Sequence, residues 1–142
     1  MGNDAFEVGL VTTRKMNLFE CYMTTDVVED IYAEEPYVVI GLSVDGKACG
    51  VIAGCLVEEE VFSVMNFYVD PQVRRQGGGT LLLDTLLEQI FENNENTAVR
   101  LFFTEDSDDT EALCEFMLAR GESESIENTE DDFPEHRFVI VK

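Results

Sequence analysis

The chain is expected to fold as an α/β domain built on one mixed sheet. Three observations carry that expectation. An apolar run from Val61 to Val69 leads into a glycine-rich turn and then into a leucine-rich stripe at helical spacing, which reads as strand, turn and helix. A second apolar run, Ala98 to Thr104, follows that helix. The two strands should therefore lie parallel, with the helix as a right-handed crossover. Between Tyr37 and Val57 the chain reverses at Asp45-Gly46, the strongest short hairpin signal present, so antiparallel neighbours are expected as well.

Length and composition set the bounds. At 142 residues and 45% hydrophobic, the chain suits one domain with a real core, and we read residues 1–142 as that domain. No apolar run reaches the ~18 residues of a membrane span. The N-terminal stretch begins with acids and lacks a basic segment before a long apolar core, so no secretory leader is expected. Cys21, Cys49, Cys55 and Cys114 form neither a CxxC nor a zinc spacing. They read as reduced core thiols of a cytoplasmic protein. The acids come in runs rather than at ligand spacing, so no metal site is expected. Formal net charge is −21, from 30 acids against 9 bases. Such a field repels nucleic acid and anionic membrane and attracts amines. The same charge also suits a surface adapted for solubility or salt.

The elements follow in order. Phe6 to Thr12 alternates as a first strand. Asn17 can cap a short helix through Met23, with Leu18, Cys21 and Tyr22 inward. Asp26 with Glu29 resembles a capping box for a second short helix, Val27 to Ala33, and Pro36 closes that region. Tyr37 to Val44 and Lys47 to Val57 are the two arms of the hairpin. Gly50 and Gly54 allow a bend or a close approach in the second arm. Glu58-Glu59-Glu60 is a solvated turn. Val61 to Val69 places Val61, Met65, Phe67 and Val69 on one face and Phe62, Val64 and Tyr68 on the other. Both faces are apolar, as in a central strand covered on both sides. Pro71 ends it.

Leu82, Leu83, Leu86, Leu87, Ile90 and Phe91 form the stripe of the long helix, which Asn93-Asn94-Glu95-Asn96 breaks. After the Ala98–Thr104 strand, Asp108 with Glu111 signals another helix, running to Arg120 with Leu113, Phe116 and Met117 buried and Gly121 as its C-cap. Glu122 to Asn128 reads as an exposed strand, Thr129 to Glu135 as an acidic loop, and His136 to Lys142 as a final apolar strand. The order is β, α, α, β, β, β, α, β, α, β, β. The last strand is expected to offer a sheet edge where two copies could pair as a homodimer.

The turn between strand and long helix is Arg74-Arg75-Gln76-Gly77-Gly78-Gly79-Thr80. The first N–H groups of a helix lack internal partners and carry partial positive charge. Glycines let an anion approach them closely, and the arginines add cationic charge. A Walker loop needs a lysine after its glycines, and none follows here. The GxGxxG of dinucleotide-binding folds is also absent.

With Val69-Asp70-Pro71 before it and the long helix after it, this segment resembles the acyl-CoA signature [RQ]-x-x-G-x-[GA] of the GNAT N-acetyltransferase superfamily. The element order is similar over the whole chain. The resemblance implies the GNAT acyl-CoA N-acyltransferase fold, with acetyl-CoA as co-substrate and a primary amine as acceptor. By resemblance, Phe67, Tyr68 and Val69 would hold the pantetheine arm where the two parallel strands splay. Arg74, Arg75, Gln76, Gly77, Gly78, Gly79 and Thr80 would hold the pyrophosphate.

The attacking amine must lose a proton, and the developing oxyanion needs a donor, usually a backbone N–H of the splayed strand. Glu105, at the end of the second parallel strand, falls where one branch of the family places a glutamate base. Asn66 and the Glu58–Glu60 turn are the alternatives, through a water held on the earlier strand. Many members carry a tyrosine four residues before the glycine that ends the last helix, and a cofactor-contacting asparagine seven residues earlier. Here those positions read Met117 and Thr110, and methionine cannot donate a proton. Two readings follow: an active N-acetyltransferase, or a domain that binds acyl-CoA without turnover. His136, the only histidine, opens the last strand and reads as structural.

Overall fold

In the computed structural model the elements run β1 (Phe6–Leu10), two 3₁₀ turns (Thr13–Leu18 and Glu20–Tyr22), α1 (Thr25–Tyr32), β2 (Val38–Val44), β3 (Lys47–Glu58), β4 (Val61–Val69), α2 (Gly78–Asn93), β5 (Ala98–Thr104), α3 (Thr110–Ala119), β6 (Glu124–Asn128) and β7 (Pro134–Ile140). The structure describes residues 6–33, 37–58, 60–70, 77–93, 98–104, 110–120, 124–128 and 134–140. The strands form one mixed sheet in the order β1-β2-β3-β4-β5-β7-β6. All neighbours are antiparallel except β4 and β5, which are parallel as the intervening helix requires.

The Asp45-Gly46 hairpin forms as expected. Both residues have positive φ, 52° and 79°, which matches the twist of the flanking strands. The final hairpin differs from expectation. β7 lies inside the sheet, between β5 and β6, and pairs with both. The edges are β1 and β6, so His136–Ile140 offers no free ladder to a second copy. A strand's place in the sheet depends on long-range pairing, which its own residues do not encode.

Two cores sit on opposite faces. On one, Leu82, Leu83, Leu86 and Ile90 of α2 and Cys114 and Met117 of α3 pack on Ile40, Leu42, Ile52, Phe62, Val64, Val99, Leu101 and Phe138. Burying each large aliphatic side chain contributes about 2 kcal/mol. On the other, Met16, Phe19 and Val27 cover Val39, Val51 and Ala53.

The second face corrects three expectations. The segment before α1 is 3₁₀ rather than α-helical, so residues three apart align. Met16 and Phe19 therefore point inward, while Leu18 is 53% exposed and Cys21 lies on the surface. The N-cap of α1 is Thr24, whose hydroxyl accepts from the Val27 N–H at 3.4 Å. Asp26 falls in the first turn instead, where a negative charge suits the helix dipole. Among the described residues no helix is long and apolar enough to cross a membrane.

Candidate functional site

The parallel pair β4–β5 is joined over only three positions, Val61–Ala98, Phe62–Val99 and Ser63–Arg100. The β4–β5 register ends at Ser63 and Arg100, while β4 continues to Val69 and β5 to Thr104, so the two strands part in a V. The cause lies in β4. Ala53 faces Asn66 and Gly54 faces Val64, which leaves Met65 as one extra residue with no partner on β3. A bulge of this kind bends its strand and increases the local twist. Gly54 allows it, since a Cβ there would lie 2.2 Å from the Ser63 carbonyl oxygen and 2.7 Å from the Phe62 ring.

The bulge also changes which side chains share a face. Strict alternation set Phe62 and Val64 opposite Phe67 and Val69. All four pack in the same core, with Asn66 and Tyr68 turned to the other side. One inserted residue shifts the two-residue period by one step.

Helix α2 begins beside the open end of the V. Leu81 N–H bonds the Gly77 carbonyl at 3.0 Å, so the N–H groups of Gly78, Gly79 and Thr80 precede the first intrahelical bond. The three glycines serve different ends. Gly77 has φ +89°, which a side chain would strain. Gly78 lies against β2, where a Cβ would come within 2.6 Å of Leu42 Cδ2. Gly79 has neither constraint, and a Cβ there would make ordinary contact with Phe116 and Phe67. An anion could therefore reach this helix terminus.

Helix α3 closes the same end. Phe116 meets Phe67 of β4 edge to face, and Arg120 sits over the Phe116 ring at 5.7 Å. Arg120 also pairs with Asp84 of α2 at 2.9 Å, which ties α3 to α2. Met117 is fully buried in the core.

On the opposite face a polar network fastens the second 3₁₀ turn to β4. The Asn66 Oδ1 accepts from the Thr24 N–H, and its Nδ2 donates to the Tyr22 carbonyl, both at 2.9 Å. The Tyr22 hydroxyl donates to the Ala48 carbonyl at 3.1 Å and lies 3.3 Å from the Asp70 carboxylate. Burial, and then the Asp70 charge, push that hydroxyl above the ordinary tyrosine range. The Tyr22 ring stacks on Tyr68, with centroids 5.5 Å apart.

The expected site residues fall as follows. Phe67, Tyr68 and Val69 lie on the stretch of β4 that β5 has left, and Gly77, Gly78, Gly79 and Thr80 open α2. Arg74, Arg75, Gln76 and Glu105 lie outside the described residues, as do Asp108 and Gly121. Thr110 is the first residue of α3. His136 pairs with Phe103 of β5 and Ile126 of β6. Among the described residues no group of three or more His, Cys, Asp or Glu side chains could hold a metal ion. Tyr22 and Thr24 were missed as partners of Asn66. A threonine three residues before Val27 is a legible cap, but nothing local marks Tyr22 as a neighbour of β4.

A glycine-rich helix terminus beside a split parallel pair defines a class of α/β domain whose helix start is open to an anion. The model of the Acetyltransferase (GNAT) family matches residues 10–121, and the chain belongs to that family. No curated protein matches it in sequence. Solved structures share the fold. The ribosomal-protein-S18-alanine N-acetyltransferase from Escherichia coli is 19% identical with a TM-score of 0.69, over 96% of this chain and 93% of that one. Ard1 from Thermoplasma volcanium is 21% identical with a TM-score of 0.73, over 96% and 97%. A GNAT family acetyltransferase from Elizabethkingia anophelis with acetyl-CoA bound is 12% identical with a TM-score of 0.67, over 99% and 100%.

Proposed function

We propose that the protein transfers an acetyl group from acetyl-CoA to a primary amine of a small molecule or peptide. One observation carries this reading. The stretch of β4 beyond the β4–β5 register lies next to the start of α2, with Gly78 close to Val69 and Gly79 close to Phe67, which supports a long ligand with a diphosphate at one end. Phe67, Tyr68 and Val69 would hold the pantetheine arm through their backbone. Gly77 to Thr80, with Arg74, Arg75 and Gln76, would hold the diphosphate, and Thr110 would contact the same ligand. When bound, the thioester supplies an acetyl group activated for transfer.

The chain's own groups do the rest. Met65 at the bulge has no residue opposite it on β3, and a main-chain N–H of this stretch would donate where negative charge develops. Glu105 would take the amine's proton as the acceptor nitrogen forms its bond to the acyl carbon and the carbon–sulfur bond breaks. A water held on β4 by Asn66 is the alternative base. Asn66 already spends one donor and one acceptor on the Tyr22–Thr24 main chain, which favours Glu105. We place the protein in the cytoplasm because its four cysteines are free thiols, and without a nucleic-acid or membrane partner because of its acidic charge.

A second reading, binding without turnover, draws support from Met117. It fills the core at the position where many relatives carry a tyrosine, and it offers no proton to a leaving thiolate. CoA release from acetyl-CoA over polyamines, amino acids, aminoglycosides and peptides separates the two. Turnover of any amine supports transfer. Tight acetyl-CoA binding by calorimetry with no turnover of any acceptor supports the binding module. Gly79→Glu should abolish binding while the fold survives, since a Cβ there meets Phe116 and Phe67 only at ordinary contact distance. Unchanged turnover in Glu105→Ala would remove that residue from the mechanism.

A further inference from the structure

Asn66 is the first residue of β4 beyond the bulge, on the stretch that β5 has already left. It is 8% exposed, and both ends of its amide bond the main chain of one short segment, at Tyr22 and Thr24. The asparagine amide carries a donor and an acceptor side by side, so this contact fixes the segment in orientation as well as position. Tyr22 fastens the same segment again, through its hydroxyl to Ala48 and Asp70 and its ring to Tyr68. Thr24 in turn caps α1. The apolar core of this face, Met16, Phe19 and Val27 on Val39, Val51 and Ala53, already holds the layer to the sheet. The polar network adds placement at one spot, the opened part of β4.

We propose that Asn66 is a positioning residue that holds residues 22–24, with the Tyr22–Tyr68 ring pair, as a wall beside the opened stretch of β4, and that this wall seats the acceptor amine. The proposal rests on the acyl-transfer reading above. Transfer demands that the nucleophile be held in near-attack geometry, where displacements on the order of 1 Å cost heavily. A wall bonded directly to the strand that carries the thioester end meets that demand.

The test is steady-state kinetics and acetyl-CoA calorimetry on the full chain, with the best amine from the panel as acceptor. The variants are Asn66→Ala, Asn66→Asp and Tyr22→Phe. Asn66→Ala is expected to raise the acceptor KM about tenfold, since buried bonds to the main chain are lost, while the acetyl-CoA Kd stays within about twofold. Tyr22→Phe keeps the ring stack and should raise the same KM by a smaller factor. Asn66→Asp keeps an acceptor for Thr24 but sets a carboxylate against the Tyr22 carbonyl. Protonation restores the donor, so its acceptor KM, relative to wild type at the same pH, should recover as pH falls. Unchanged acceptor KM in active variants overturns the proposal alone, as does weakening of acceptor and acetyl-CoA in parallel, the mark of a merely structural role. A wild type that turns over no amine overturns the acyl-transfer reading itself, and this proposal with it.

Discussion

Phe67 of β4 and Phe116 of α3 meet edge to face, with ring centroids 5.7 Å apart and planes at 78°. The pair joins the strand that opens to the helix that covers it, beside Gly79. Phe116→Ala removes this contact and the ring beneath Arg120. A stability loss of about 2 kcal/mol is expected, below the full cost of a core phenylalanine because Phe116 is half-buried. Urea denaturation measures it. A loss under about 0.5 kcal/mol would mean that the pair does not hold α3 in place.

Gly54 and Gly9 give opposite expectations for the same change. A Cβ at Gly54 would lie 2.2 Å from the Ser63 main-chain oxygen, which cannot move without breaking the β3–β4 ladder. Gly54→Ala should cost about 3 kcal/mol, or prevent folding. At Gly9 nothing lies within 4 Å, and Gly9→Ala should be neutral or slightly stabilising. Thermal unfolding of the two variants side by side checks the contrast, and equal midpoints would contradict it.

Tyr37 carries a pH dependence. Burial, then its hydrogen bond to Asp30, push its hydroxyl from the ordinary 10.0 to about 12. The folded state thus keeps this proton after the unfolded chain has lost it. The contribution is fully present below pH 10.0 and disappears as pH rises through about 12. Tyr37→Phe should be less stable than wild type at neutral pH, and the gap should close across that alkaline window. Chemical denaturation at a series of pH values measures the gap. A constant difference would show that Tyr37 does not titrate differently in the two states.

The charge of −21 predicts a salt response. Self-repulsion of the compact state is screened as ionic strength rises, with the Debye length falling to about 3 Å at 1 M. The unfolding midpoint should climb steadily with added sodium chloride. A flat response would mean that the acids are spaced widely enough not to oppose folding.

Much of the fold was legible because its signals are local. The apolar runs gave β4 and β5 with their observed bounds, and Asp45-Gly46 gave the hairpin. The leucine stripe gave the buried face of α2, and the glycine run gave its start. The 3₁₀ turns were misread because Leu18, Cys21 and Tyr22 fit α-helical spacing, whereas the tighter turn buries Met16 and Phe19 and leaves Leu18 and Cys21 outside. At the site, the glycine-rich start of α2 was legible, but the separate demands on Gly77 and Gly78 were not. Gly78 is required by Leu42, which lies far away in sequence.

By itself the sequence determined the strands, the main helices, their order, the parallel pair around α2 and the glycine-rich helix start, since each depends on residues a few positions apart. Tertiary structure alone decided that β7 enters the sheet between β5 and β6, and that Met65 bulges so the pair splits after Ser63. It also decided that Asn66 turns away from the strand edge to hold Tyr22 and Thr24. These outcomes rest on register between distant segments, where one residue of slip changes every contact and no local pattern records the choice.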